Sequence, residues 1–175
     1  MGLILASQSP RRRELLARLG LPFTVEAAGV DETMDPDRDP FDEVARLSQA
    51  KAAAAGAGPD DTVIAADTVV VLDGTVLGKP KGPDGAAHML HALSGRDHQV
   101  MSGLTVRRGE QVWSLTAVTR VWFRALSGAE IAAYVASGEP LDKAGAYGIQ
   151  GLAASFVERL DGDYYNVVGL PLCPL

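Results

Sequence analysis

A stretch of unusual apolarity, DDTVIAADTVVVLDG at residues 60–74, constrains the fold of this chain most strongly. Its valine, isoleucine and alanine residues follow one another with little alternation, which is typical of a strand covered on both faces. The Asp-Gly pair at its end is a favoured hairpin turn. Such a strand needs packed layers above and below it, so the sequence predicts an α/β protein.

Helical patterns alternate with strands early in the chain, and strands cluster in its middle. Capping residues and apolar spacing predict helices at Pro10–Leu19 after the N-cap Ser9, Pro40–Ala55, residues 82–95 and after Ser127. Strands are predicted at residues 2–7, 22–33 (running into a loop), 60–74, 98–126 (two or three strands with a hairpin turn at 108–110) and 154–172 (one strand or a pair). This order predicts a mixed-sheet α/β domain.

Length, charge and cysteine content narrow the classes of function. The 175 residues fit a single domain over 1–175, and 16 basic against 22 acidic residues give a net charge of −6. That charge argues against a general nucleic-acid or membrane-surface binder, so a polyanionic ligand would need a local basic cluster. The single cysteine, Cys173, leaves no internal disulfide, and no apolar run approaches a membrane span. We expect a soluble cytoplasmic protein.

The segment SQSPRRRELL, residues 7–16, places Arg11, Arg12 and Arg13 in the first turn of a helix. A helix N-terminus already carries about +0.5 of an elementary charge, which disfavours cations there. Either the long side chains extend into water, or the first-turn amides and guanidinium groups together form an anion site suited to phosphate oxygens.

Asp67 lies inside the apolar strand VIAADTVVVL, where an unpaired charge would be costly to bury. It is either a structural aspartate at a bulge or, with Thr68 beside it, a metal ligand or a base that activates water. The lysines of GKPKG, residues 78–82, form a charged surface turn or a second phosphate contact. His88 and His91 are interpreted as a solvated pair and His98 as a hydrogen-bonding loop residue.

The segment EPLDKAGAYGIQG, residues 139–151, carries glycines at 145, 148 and 151 around Tyr147 and Gln150. Glycines at this density indicate a backbone shaped for close approach to another group. The planar amide of Gln150 offers one acceptor and two donors, which suits the edge of a nucleobase.

In chain order, SQSPRRRELL, VDET, SQAKA, AADTVV, LGKP, LSGRDHQVMSG, GEPLDKAGAYGIQG and GDYYNVVGLPL resemble the motifs of the Maf family of nucleoside triphosphate pyrophosphatases. The resemblance covers nearly the whole chain. It implies a twisted mixed sheet flanked by helices with a central cleft, as in inosine triphosphate pyrophosphatases. It also implies hydrolysis between the α and β phosphates with Mg²⁺ or Mn²⁺, and a homodimer. Ser102 stands where family members commonly have threonine, which keeps the hydroxyl.

Carried over to this sequence, the resemblance implies that Asp67 is the catalytic acid/base residue. It assigns substrate specificity to Arg11, Thr68 and Gln150, and it assigns phosphate or metal binding to Ser7, Arg12, Glu32, Lys51 and Lys79. We expect the two carboxylates, Glu32 and Asp67, to be the metal ligands.

The form DKAGAYGIQG is similar to the branch of the family that acts on dTTP and UTP, rather than on 7-methyl-GTP. Two alternatives stay open. One is an inosine or xanthosine triphosphate pyrophosphatase, and the other is a nucleotide-binding regulator of cell division or septum formation.

Overall fold

The structure is a computed structural model that describes residues 1–26 and 29–175, so part of the predicted strand and loop at 22–33 lies outside it. The described helices and strands are, in order, β1 Leu3–Leu5, α1 Pro10–Ala17, β2 Thr24–Val25, α2 Pro40–Ala54, β3 Thr62–Leu72, β4 Thr75–Leu77, α3 Gly82–Leu93, β5 Asp97–Arg108, β6 Gln111–Phe123, α4 Gly128–Ala136, β7 Val157–Asp161 and α5 Tyr164–Val168. Three short 3₁₀ turns between α4 and β7 cover Glu139–Asp142, Ala144–Ala146 and Leu152–Phe156. No described helix is long and apolar enough to cross a membrane.

The strands form a sheet of order β2-β1-β3-β5-β6-β7, with β4 paired to β3. Strand β1 runs parallel to β2 and β3, whereas β4 is antiparallel to β3 and β7 is antiparallel to β6. All but two of the eleven residues of β3 are buried, as its apolar sequence predicts. The predicted mixed-sheet α/β class is confirmed.

The chain groups into two compact units. The first unit comprises Met1–Thr68, Met101–Ala117 and Tyr165–Leu175, and the second comprises Val69–Val100 and Val118–Tyr164. A single functional domain over 1–175 stays a prediction.

In the first unit, α2 packs closely on the sheet. Ala52 of α2 and Ala55, which follows the helix, join a buried cluster with Ile4 and Ala6 at β1 and with Val63 and Ala65 of β3. Gly103 of β5 allows this approach, because a Cβ atom there would overlap the backbone carbonyl of Val44 in α2. A hydrogen bond of 2.7 Å between the hydroxyls of Ser48 and Thr105 joins the same two elements.

The core of the second unit is aromatic. The Phe123 ring meets the rings of His98, Tyr147 and Phe156 edge to face, at centroid distances of 5.0, 4.8 and 6.0 Å. His98 is only 2% exposed and lies within β5, so its predicted loop position is wrong. Its hydrogen bonding is confirmed, since its Nε2 lies 2.8 Å from the hydroxyl of Tyr147. His88 is exposed on α3, as predicted.

The segment after β7 differs from the sequence prediction. A second strand in residues 154–172 is one of the two predicted outcomes, but Tyr164–Val168 is the short helix α5. Thr119 fixes the backbone just before α5. The Thr119 hydroxyl donates to the carbonyl of Asp163 at 3.0 Å and accepts from the amide of Asp163 at 3.1 Å. This contact is between residues 44 positions apart, so local sequence patterns do not predict it.

Candidate active site

Helix α1 begins where the sequence predicts, and its first turn carries the three arginines. Pro10 is the first helical residue, and the Ser9 hydroxyl accepts a hydrogen bond from the amide of Arg12. Arg13 is exposed, Arg11 is partly buried, and Arg12 turns back toward the body of the first unit. The solvated interpretation therefore holds for Arg13 but not for Arg12.

Arg12 joins three parts of the first unit. Its Nε donates to the carbonyl of Gly169 at 2.8 Å, its Nη1 to the hydroxyl of Ser7 at 3.2 Å and its Nη2 to the hydroxyl of Thr68 at 3.0 Å. A guanidinium group has five N–H donors in a rigid plane, so these contacts leave two donors for another acceptor. Burial lowers the pKa of Arg12, and the charge of Asp67 raises it in opposition.

The hydroxyl of Thr68 continues this network. It lies 2.7 Å from the hydroxyl of Ser102, which in turn donates to the carbonyl of Asn166 at 3.2 Å. Ser102 is fully buried, and its hydroxyl, the group that serine and threonine have in common, makes these two internal hydrogen bonds. Arg12 and Ser102 thus fix the side chain of Thr68 from two directions.

Lys51 pairs with two carboxylates of the first unit. From α2, its ammonium group lies 2.6 Å from Asp67 Oδ1 and 2.7 Å from Glu32 Oε1. Lys51 is 6% exposed and Asp67 is 9% exposed, whereas the Glu32 side chain is 63% exposed. Asp67 is therefore paired, inside its strand, with a buried cation from another element. A purely structural aspartate at a bulge would not require this partner.

The remaining two predicted site residues belong to the second unit. Lys79 is exposed between β4 and α3, and Gln150 is exposed in the turn before the third 3₁₀ segment. Their segments are joined by the backbone, because the amide of Gly145 donates to the carbonyl of Gly78 at 3.1 Å.

The structure thus brings the predicted residues together as two groups in the first unit and a linked pair of segments in the second. Three further residues hold the predicted site residues or their segments in place, and the sequence alone does not identify them: Gly169, Tyr134 and Glu139. Gly169 contributes a backbone carbonyl, for which side-chain chemistry gives no signal. Glu139 carries a weak signal in sequence, since it begins the polar, glycine-rich segment at residues 139–151.

The side chains of the first unit offer two adjacent carboxylates to a divalent cation. Among the described residues no group of three or more His, Cys, Asp or Glu side chains could hold a metal ion. Glu32 and Asp67 nevertheless approach a single cationic centre, the Lys51 ammonium. Mg²⁺ is commonly held by one or two carboxylates together with substrate phosphates and water, so this pair fits that ion.

Comparison with known proteins identifies the family. A family model described as Maf-like protein matches residues 2–175. A dTTP/UTP pyrophosphatase from Moorella thermoacetica is 55% identical over 97% of this chain and 89% of that protein. A dTTP/UTP pyrophosphatase from Vibrio parahaemolyticus is 51% identical over 98% of this chain and 92% of that protein.

Among solved structures, the Staphylococcus aureus Ham1 protein overlaps 70% of this chain and 72% of that chain, with a TM-score of 0.48 and 17% identity. The family match over residues 2–175, together with relatives at 51% and 55% identity, shows that this chain belongs to the Maf family.

Proposed function

We propose that this protein is a metal-dependent pyrophosphatase that hydrolyses the bond between the α and β phosphates of dTTP and UTP, releasing the monophosphate and pyrophosphate. The observation that carries the proposal is the buried pair of Asp67 and Lys51, at 2.6 Å, in a chain 55% identical to a dTTP/UTP pyrophosphatase. CTP or modified pyrimidine nucleotides are further substrates under this proposal. The purine alternative is not favoured by the relatives named above.

The phosphates are assigned to the start of α1. A triphosphate brings about four negative charges, and Arg12 has guanidinium donors beyond the three used within the first unit. Arg11, the Ser7 hydroxyl and the first-turn amides add cationic and hydrogen-bonding groups at the same helix end. Lys79 of the second unit is assigned to the phosphates as well.

Asp67 is assigned as the general base. Its carboxylate accepts a proton from water while the water oxygen bonds to phosphorus, the α–β bridging bond breaks, and pyrophosphate leaves with the bonding electron pair. Lys51 holds Oδ1 of Asp67 at 2.6 Å and so orients the carboxylate. Lys51 thus has two proposed roles. It positions the carboxylates of Asp67 and Glu32, and it contacts the substrate.

Glu32 and Asp67 are assigned as the residues that would hold Mg²⁺ or Mn²⁺. When bound, the cation neutralises phosphate charge and polarises the phosphoryl oxygens. The chain supplies the two carboxylates, and the single positive charge of Lys51 offsets one of their two negative charges.

Base selection is assigned to Arg11, Thr68 and Gln150. The hydroxyl of Thr68 is held in place by Arg12 and Ser102, and a fixed polar group discriminates better than a mobile one. The proposed partner is a nucleotide rather than a nucleic acid, which agrees with the net charge of −6. A homodimer in the cytoplasm, away from membranes, completes the proposal.

The first experiment measures pyrophosphate release from dTTP, UTP, CTP, ITP and 7-methyl-GTP with Mg²⁺ or Mn²⁺. Turnover of dTTP and UTP above the others is expected. Preferred turnover of ITP would replace the pyrimidine assignment by the purine one. Binding without turnover of any nucleotide would favour the regulatory alternative.

Asp67→Asn tests the assignment of the base. Asparagine keeps an oxygen that accepts from Lys51 but cannot take up a proton from water, so kcat is expected to fall by about 10²–10⁴-fold. Asp60→Asn, at an exposed aspartate just before β3, is the matched control and should keep wild-type kcat. A folded Asp67→Asn enzyme with normal turnover would remove Asp67 from this role.

A further inference from the structure

Gln150 lies in a tight turn whose two ends are held by side chains. The amide of Gly151 donates to the carbonyl of Gly148 at 3.0 Å, which closes the turn around Gln150. Gln150 itself is exposed, so its position depends on how the backbone on either side of it is fixed.

Glu139 fixes the far side of this turn, and Tyr134 fixes the near side. Oε2 of Glu139 accepts from the amide of Leu152 at 3.1 Å. Oε1 of Glu139 accepts from the hydroxyl of Tyr134 at 2.9 Å, and the same hydroxyl accepts from the amide of Gly148 at 3.2 Å. Each carboxylate oxygen therefore holds one end of the turn, directly or through Tyr134.

The Glu139 side chain is also closely packed against the turn. A Cβ atom at Gly151 would overlap the Glu139 carboxylate, so the turn lies directly against this group. Tyr134 is 3% exposed on α4, which anchors the hydroxyl to a rigid element. The backbone carbonyl of Glu139 also accepts from the ammonium of Lys143 at 2.6 Å.

We propose that Glu139 is a positioning residue that sets nucleobase selectivity by fixing the turn that carries Gln150. The proposal rests on the proposed function, which assigns Gln150 to the base. A carboxylate accepts two hydrogen bonds with ionic assistance, whereas an amide side chain offers only one acceptor oxygen. Glu139 thus holds both ends of the turn at once through two charged acceptor oxygens, which an amide side chain does not have.

The test is Glu139→Gln, which keeps the shape that packs on Gly151. Its amide group has a single acceptor oxygen, so it cannot accept from both the Leu152 amide and the Tyr134 hydroxyl, and both charge-assisted bonds of the carboxylate are lost or weakened. KM for dTTP and UTP is expected to rise about five- to tenfold, with kcat within about twofold, because the base contributes ground-state and transition-state binding alike. The preference for dTTP over ITP should fall by a similar factor.

Glu158→Gln, at an exposed glutamate of β7, is the matched control and should keep wild-type KM and selectivity. Combination with Gln150→Ala separates positioning from general stability. In that background, Glu139→Gln should change selectivity by less than about twofold, since the group being positioned is gone. Equal effects in both backgrounds, or unchanged KM in Glu139→Gln, would overturn the proposal.

Tyr134→Phe is a second variant that releases only the Gly148 end, and it serves if Glu139→Gln does not fold. It should also raise KM for dTTP, and an unchanged KM would overturn the proposal. Binding of dTTP and ITP without a divalent cation is measured in parallel. Absence of turnover in the wild-type enzyme contradicts the proposed function, whereas selective weakening of dTTP binding in Glu139→Gln still supports the positioning role.

Discussion

Arg12 shows how a residue that is unfavourable for its helix is stabilised by the rest of the protein. A cation in the first turn opposes the helix dipole by roughly 0.3–1 kcal/mol. Three hydrogen bonds, to Gly169, Ser7 and Thr68, offset that cost, at about 1 kcal/mol each. The sequence marked the arginines as a group, but only the tertiary contacts distinguish Arg12 from Arg13.

Arg12→Lys should separate charge from shape at this position. A lysine ammonium keeps the charge but cannot span three acceptors, so we expect a loss of about 1–3 kcal/mol in the free energy of unfolding. We also expect kcat/KM for dTTP to fall by about tenfold or more, because lysine cannot make the planar phosphate contacts that are proposed for Arg12. Denaturant unfolding and steady-state kinetics measure the two effects.

Arg13→Lys is the control, since Arg13 is exposed in the same turn of α1. It should leave both quantities close to wild type. If Arg12→Lys behaves like Arg13→Lys in both measurements, then the network around Arg12 contributes neither stability nor phosphate binding.

His98 predicts a pH dependence of stability. Burial lowers its pKa to about 4, with the charge of Asp97 acting in the opposite direction. The unfolded chain, with an ordinary histidine pKa of about 6.5, then binds more protons than the folded protein. The contribution of neutral His98 is fully present above about pH 6.5 and is lost as pH falls toward 4, by about 3 kcal/mol in total.

Urea unfolding of wild type and His98→Gln between pH 7 and pH 4 measures this contribution. The variant is expected to be less stable at pH 7, where the bond to Tyr147 is lost, but to show a flatter decline toward pH 4. His88→Gln, at an exposed histidine, should keep the wild-type slope. Identical slopes in wild type and His98→Gln would contradict the prediction.

At the residue scale, Asp67 is easier to single out from the sequence than its partner Lys51. A charge inside an apolar strand is visible in sequence, because burial there demands compensation. Lys51 also suited a simple local role as a cation near the end of α2. Its ion pairs with Asp67 and Glu32 join three separate segments of the chain. Local sequence patterns do not predict contacts between distant segments.

At the scale of elements, β5 and α2 approach each other closely at Gly103. A Cβ atom at this position would overlap the backbone of Val44, and a helix backbone cannot yield as a flexible side chain can. Gly103→Ala is therefore expected to lower the free energy of unfolding by about 3 kcal/mol or more. Because α2 also carries Lys51, activity should fall together with stability.

Gly128→Ala is the matched control, at the first residue of α4, where an added Cβ atom meets nothing within 4 Å. Its free energy of unfolding should stay within about 0.5 kcal/mol of wild type. Denaturant unfolding of both variants tests the prediction. Equal stability of Gly103→Ala and Gly128→Ala would show that the backbones can separate without cost.

Element boundaries were predictable where capping chemistry is local. The N-caps Ser9 and Ser127 and the capping box with Glu130 define helix starts within a few residues, and the structure confirms them. The helix Tyr164–Val168 was not predicted, because its start is fixed by Thr119, far away in the chain. Short elements depend on tertiary contacts more than on propensity.

Across the whole molecule, the predicted site residues divide between the two compact units. The first unit holds the arginines of α1, Ser7, Glu32, Lys51, Asp67 and Thr68, and the second holds Lys79 and Gln150. The order of motifs along the chain identified these residues, but sequence order does not indicate which compact unit each joins. The mixed sheet was predictable, because alternating helices and strands leave few other architectures.

The first unit is assembled from three separated stretches of chain, and this has a consequence for biosynthesis. Gly169, whose carbonyl receives the Nε of Arg12, is translated after the entire second unit. At about 5–20 residues per second, on the order of ten seconds separate Thr68 from that partner during synthesis. The hydrogen-bond network of Arg12 therefore stays incomplete for that time, and it can close only near the end of synthesis.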